Sequence, residues 1–178
     1  MRAKKSRKRV QIIDTITRAA ASPKILTVAS PASLKENSVR MAIHGGLLNG
    51  VEDIYASLSP TVSERRNQSK AAESVIIEAG GGTVINNLQL FGTQHRPDFE
   101  VKVDGLKIAI EVKVGDSGQQ IREGIGQAIV YSTKYDFVVY LFVDNSPNKK
   151  VLSSVYGLQE QHLAEQLWSE FNVRFHVV

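Results

Sequence analysis

Apolar positions along the chain switch between helical spacing and strict alternation. Ile12, Ile13, Ile16, Ala19 and Ala20 recur at helical spacing within Val10 to Ala21, and Pro23 closes that stretch. Lys24 to Ala29 reads as a short strand. Ser33 to Leu48 reads as a helix broken at Gly45-Gly46, with a further turn or two from Glu52 to Leu58 before Pro60. Ser63 to Ala79 reads as the next helix. Ser63 is its cap, Ala72, Val75, Ile76 and Ala79 form its stripe, and Gly80-Gly81-Gly82 stops it.

The pattern then changes to a period of two. Thr83 to Leu90 is strand-like. In Pro97 to Val103, Phe99, Val101 and Val103 share one face, and Asp98, Glu100 and Lys102 the other. Asp104-Gly105 is a two-residue hairpin signal. Leu106 to Val114 alternates again, with Lys107, Ala109, Glu111 and Lys113 on its second face. Ser117 to Ser132 predicts a helix in which Gly124 and Gly126 permit close packing. Asp136 to Val143 is nearly all apolar, as in a strand covered on both faces. Asn145 to Asn148 turns, Leu158 to Phe171 is a helix and Val173 to Val178 a last strand. This order predicts an α/β fold, a mixed β-sheet flanked by helices over residues 61–178. A basic arm and a helical extension precede it in residues 1–60.

Composition narrows the chemistry. The 178 residues are 42% hydrophobic and 22% charged, which excludes disorder over the whole length. There is no cysteine, so a disulfide scaffold, a thiolate zinc site and a cysteine nucleophile are excluded. The longest apolar run, Phe137 to Val143, is far short of the roughly 20 residues that span a bilayer, so no membrane partner is expected. No apolar signal core follows the basic start, and a cytoplasmic location is the expectation. Net charge is +4, but six basic side chains crowd the first nine residues (Arg2, Lys4, Lys5, Arg7, Lys8, Arg9), leaving the remainder slightly acidic. Such an arm reads either as a solvated tail or as an electrostatic contact for a polyanion.

The hairpin fixes a register. With Asp104-Gly105 as the turn, Val103 faces Leu106, Glu100 faces Ala109, Phe99 faces Ile110, and Asp98 faces Glu111. Residues so placed have Cβ atoms about 4.5–5.5 Å apart, and like charges there repel. A hard divalent cation offsets that repulsion, because Mg²⁺ is held by one or two carboxylates plus waters. Lys113 lies on the same face, where its ammonium orients a water or holds a phosphate. Asp, Glu and Lys without His or Cys form the ligand set of a magnesium-dependent phosphodiesterase. The competing reading is a solvated hairpin face.

Pro97-Asp98 followed by Glu111-Val112-Lys113 resembles the PD-(D/E)XK motif of the restriction-endonuclease-like nuclease superfamily. Gln127 and Tyr131, four apart on the next helix, are similar to its QxxxY element. The resemblance spans about residues 61–143, and in size and layout is nearest to archaeal-type Holliday junction resolvases and small viral nucleases. It implies a restriction-endonuclease-like core and hydrolysis of DNA. It also implies Mg²⁺, with Mn²⁺ as substitute, on Asp98, Glu111 and the Val112 carbonyl. Lys113 would position or activate the water, and Gln127 would steady Lys113 or the phosphate. A first-helix glutamate would join the site: Glu73 is favoured, with Glu64 and Glu78 as alternatives. Two cuts on paired strands point to a homodimer. The alternative is a catalytically inactive nucleic-acid-binding protein on the same fold.

Other signals are weaker. The three glycines at 80–82 lack the Lys-Ser/Thr of a phosphate loop. His44, His95, His162 and His176 have no metal-ligand spacing. Trp168 belongs to a core stripe. Arg65, Arg66 and Lys70 read as a solvated helix face.

Overall fold

A computed structural model of the chain describes residues 4–28, 36–78 and 85–178. Five strands form one sheet in the order β1-β4-β5-β6-β7: β1 (Val75–Ile77), β4 (Phe99–Val103), β5 (Leu106–Gly115), β6 (Phe137–Asp144) and β7 (Val173–Val177). The β1–β4 and β4–β5 pairs are antiparallel, and β5–β6 and β6–β7 are parallel. A separate hairpin pairs β2 (Leu88–Leu90) with β3 (Thr93–His95). The mixed α/β architecture follows the expectation.

The helices cover both faces. On one side lie α1 (Arg7–Ala21) and α3 (Glu36–Leu58). Their Ile12, Ile13, Ile16, Ile43, Leu47 and Val51 share an apolar cluster with Phe99, Val101, Ile108, Ile110 and Val139. The N-terminal extension and the sheet therefore have one core in common. On the other side, α5 (Gly118–Tyr131) and α7 (Leu158–Phe171) meet Ala109, Val138, Tyr140, Phe142 and Val173. β6 is buried along its whole length, which is why its sequence is apolar without alternation. Among the described residues no helix is long and apolar enough to cross a membrane.

The Asp104-Gly105 reversal forms as the sequence predicts. Both residues have positive φ, 51° and 73°, the geometry of the tight turn that matches strand twist. The register is the expected one from Val103↔Leu106 through Phe99↔Ile110.

Elsewhere tertiary packing overrides the local reading. Lys24 to Ala29 forms no strand: Ile25–Val28 is a short helix, α2, and Ala29 lies outside the described residues. Helix α3 runs unbroken through Gly45-Gly46. The reason is its neighbour. A Cβ at Gly46 would lie 2.4 Å from the Ala19 carbonyl oxygen, and one at Gly50 would lie 2.4 Å from the Ala19 Cβ. Gly46 and Gly50 thus let α1 and α3 cross closely. The helix after Ser63 is α4 (Glu64–Ser74), shorter than expected. Its β-branched continuation Val75-Ile76-Ile77 pairs with Val101, Glu100 and Phe99 as β1. The glycine run at 80–82 lies outside the described residues, as does the start of the strand expected at Thr83. Of the described part of that stretch, Leu88–Leu90 is strand and residues 85–87 are not. β3 and the short helix α6 (Lys150–Ser154), which follows a 3-10 turn at Pro147–Lys149, had no sequence signal strong enough to place them.

The basic start is docked over residues 4–9. Ser6 caps α1 by accepting from the Arg9 N–H. Lys5 donates to the Ser169 carbonyl at 3.0 Å and lies over the Trp168 ring, and Lys8 pairs with Asp104 at 2.8 Å. A free solvated tail does not describe this part of the arm.

Candidate active site

Pro97 has no N–H to give to a ladder, and the β4–β5 pairing stops at Phe99↔Ile110, one residue short of the expected Asp98–Glu111 pair. The Asp98 carbonyl still accepts from Glu78 N–H at 3.0 Å, extending the β1 edge. Its side chain turns towards β5 and accepts the Val112 N–H at 2.7 Å. The carboxylate thereby replaces the backbone acceptor that β4 no longer supplies, which fixes its position.

Glu111 sits on β5 opposite Tyr140 of β6, and Lys113 Nζ lies 3.0 Å from its Oε1. Asp98 and Glu111 are only 4% and 3% exposed. The charge of Asp98 acts on Glu111, and that of Lys113 acts on both. The three side chains singled out by the hairpin register are brought to one place.

Four buried carboxylates occur among the described residues, and they divide into two kinds. Burial raises Glu100, but hydrogen bonds from Lys102 and from Tyr135, at 2.9 Å, outweigh it and hold the group below its usual range. Burial raises Asp144 too, and it is outweighed by donors from Ser146 and the Leu152 N–H. These two are structural. In Asp98 and Glu111 the balance is reversed. Burial first, and the Asp98 charge second, push Glu111 up to about 7 against the pull of Lys113. Burial also raises Asp98 in spite of the Val112 N–H and Arg40. Two buried acids whose pKa values are raised, on one sheet end, make this the candidate site.

Helix α5 roofs the pair. A Cβ at Gly124 would lie 2.2 Å from Cζ of Tyr140, so this glycine lets α5 approach the sheet; Gly126 faces open space. One turn on, the amide oxygen of Gln127 is buried with no hydrogen-bond partner, and among the described residues it makes no bond to Lys113. Tyr131, 1% exposed, donates to the Arg96 carbonyl at 2.8 Å and so holds the segment that enters Asp98. The Tyr131 hydroxyl is held protonated by burial and by the nearby Glu111 and Asp98 charges.

The structure corrects the choice of glutamate. Glu73 is exposed on α4, accepts from Ser69, and among the described residues makes no hydrogen bond or ion pair with Asp98, Glu111 or Lys113. Glu64 is likewise exposed and bonded to Gln68. Because the chain leaves the helix at Ser74, Glu78 is the one carried to the site. It lies 3.8 Å from Arg40, which in turn pairs with Asp98. Arg40 itself was not anticipated. It lies beside the buried α3 stripe of Val39, Ile43 and Leu47, and a basic residue bordering an apolar stripe was its only sequence trace. One turn further along α3, His44 stacks on Phe99, and burial lowers its pKa.

Among the described residues no three His, Cys, Asp or Glu side chains converge as a closed metal cage. Two neighbouring carboxylates suit Mg²⁺, a hard ion that keeps several waters, but Asp98 is engaged by Arg40 and the Val112 N–H and Glu111 by Lys113, so an ion there would compete with these partners. The Gln127 oxygen, buried without a hydrogen-bond partner, and the two carboxylates gathered at this end of the sheet are oxygen donors of the kind such an ion takes. The chain matches no family model, curated protein or solved structure.

Proposed function

We propose that the chain is a divalent-metal-dependent DNA nuclease of the PD-(D/E)XK, restriction-endonuclease-like kind. The observation that carries this reading is the burial of Asp98 and Glu111 together at the end of the β4–β5 hairpin, with the Lys113 ammonium 3.0 Å from Glu111. The antiparallel motif hairpin, followed by α5 and a parallel strand, supports it.

In this reading Asp98 and Glu111 hold the ion, with the Val112 carbonyl beside them. When bound, Mg²⁺ supplies Lewis-acid stabilisation of the charge that develops on the phosphate. Lys113 orients the attacking water and adds positive charge next to the phosphate oxygens. Gln127 offers its free amide oxygen as acceptor to that water. Glu78 and Arg40 bias the charge on Asp98. Paired cuts on two strands would use two copies, so a homodimer belongs to the proposal, and sedimentation at micromolar concentration checks it.

The experiment is cleavage of labelled branched, single-stranded and duplex DNA in Mg²⁺ or Mn²⁺. Asp98→Asn and Glu111→Gln should abolish it, and Lys113→Met should lower it by about 100-fold or more. Cleavage surviving the first two changes ends the mechanism. One observation favours the second reading, a nucleic-acid-binding protein without catalysis: Arg40 already neutralises Asp98. Titration with Mn²⁺ separates the two, since only the nuclease binds the ion through Asp98 and Glu111.

A further inference from the structure

The β2–β3 hairpin stands apart from the main sheet and carries Phe91-Gly92 at its tip. Both residues have positive φ, 51° and 74°. Gly92 adopts this freely. For a bulky residue such as Phe91 it is strained, and Asn, Asp or Gly is what the turn favours. Phe91 is also 93% exposed, the most exposed of the large hydrophobic residues described. The fold therefore gains neither turn geometry nor burial from this side chain. A sequence that breaks two local rules at one position does so where function asks for it.

The base of the hairpin is fixed to the candidate site. Arg96 donates to the Asn87 side chain at 2.9 Å, Lys134 to the Asn87 carbonyl at 3.2 Å, and Asn87 to Gln94 at 2.8 Å. Tyr131, on the helix above Glu111, holds the Arg96 carbonyl. From His95 the chain runs through Arg96 and Pro97 directly into Asp98. The tip is thus an aromatic ring on an anchored arm, with the positive charges of Arg96 and Lys134 at its root to attract phosphate.

We propose that the β2–β3 hairpin is a wedge that places the Phe91 ring against an unstacked base of DNA held at Asp98 and Glu111. The inference rests on the nuclease reading and deepens it by naming the substrate: DNA with an unpaired or weakly stacked base at a branch or mismatch. Aromatic platforms take any base, because each has a π-face, so the wedge selects shape and not sequence. Its reach is bounded. About seven residues separate Phe91 from Asp98 and span at most about 24 Å. At about 3.4 Å per base step, the contacted base lies within about seven nucleotides of the cut.

The test uses the full chain, with Ca²⁺ in place of Mg²⁺, and forked DNA carrying 2-aminopurine at the branch. The wild type should change the probe's fluorescence and prefer the fork over plain duplex. Phe91→Ala should remove the fluorescence change and cut the fork-to-duplex affinity ratio by about 5- to 150-fold, the range for one stacked base. Phe91→Trp should restore both, which excludes a folding defect as the cause. If Phe91→Ala keeps the wild-type fluorescence change and preference while the wild type cuts DNA, the wedge is wrong and the nuclease stands. If the wild type neither binds nor cuts any DNA, both readings fall.

Discussion

Arg40, from helix α3, pairs its guanidinium with the carboxylate of Asp98 at the end of β4. An ion entering between Asp98 and Glu111 competes with that guanidinium for the same oxygen. Arg40→Met keeps the apolar stem and removes the charge. The metal-free variant should lose on the order of 3 kcal/mol, because Asp98 is left buried without its cation. Mn²⁺ should then stabilise the variant more than the wild type. Scanning calorimetry with and without Mn²⁺ measures both effects, and equal Mn²⁺ shifts in the two proteins would show that ion and guanidinium do not compete.

Stability of the metal-free chain should fall as pH rises from about 4.5 to about 7. Unfolded, Glu111 releases its proton near 4.5; folded, it keeps it to about 7. Across that window the folded state binds more protons, so raising pH favours unfolding, by a total on the order of 3 kcal/mol. Asp98, also raised by burial, adds the same sign from 3.8 upward. Glu100 and Asp144, held low, act oppositely, and their stabilisation is lost as pH falls below the usual carboxylate range. Denaturant unfolding in EDTA at successive pH values should show the slope, and Glu111→Gln should flatten it. Since ion and proton compete, Mn²⁺ affinity should rise through pH 7.

Two glycines of one helix should respond with opposite sign. Gly45 is exposed with nothing within 4 Å of an added Cβ, so Gly45→Ala should stabilise by up to about 1 kcal/mol. Gly50→Ala drives a methyl into Ala19 and should destabilise by about 1–3 kcal/mol. Thermal midpoints of the two variants decide the matter.

Tyr131→Phe should separate turnover from binding. It removes the donor to the Arg96 carbonyl, at a cost of about 1 kcal/mol in stability, and loosens the segment that sets Asp98. The expected outcome is a fall in kcat of roughly 10- to 100-fold with DNA affinity retained, measured by single-turnover cleavage and equilibrium binding. Equal losses in both would assign Tyr131 to substrate contact.

What the sequence made legible was local. Asp104-Gly105 set the β4–β5 register, and that register placed Asp98, Glu111 and Lys113 together without knowledge of any other element. The β6 run and α7 were readable because burial on both faces and helical periodicity are written in neighbouring residues. The N-terminal region resisted for the opposite reason. Gly45-Gly46 reads as a helix break until Ala19 is seen against Gly46. Arg40 reaches Asp98 only through the packing of α3 on the sheet. Glu73 was favoured over Glu78 because the helix was read past Ser74, whereas strand pairing with β4 claims Val75–Ile77.

The clasp between α1 and the C-terminal elements shapes how the molecule assembles. Lys5 bonds to Ser169 across 164 positions of sequence and Asp14 to Arg174 across 160, with Lys5 and Arg174 both over the indole of Trp168. During synthesis, helix α1 emerges long before these partners. The loops that close here are among the longest the chain allows, which makes this clasp a late event in folding and slows the whole process. Until the sheet forms, Ile12, Ile13 and Ile16 have Ile43, Leu47 and Val51 of α3 as their early cover.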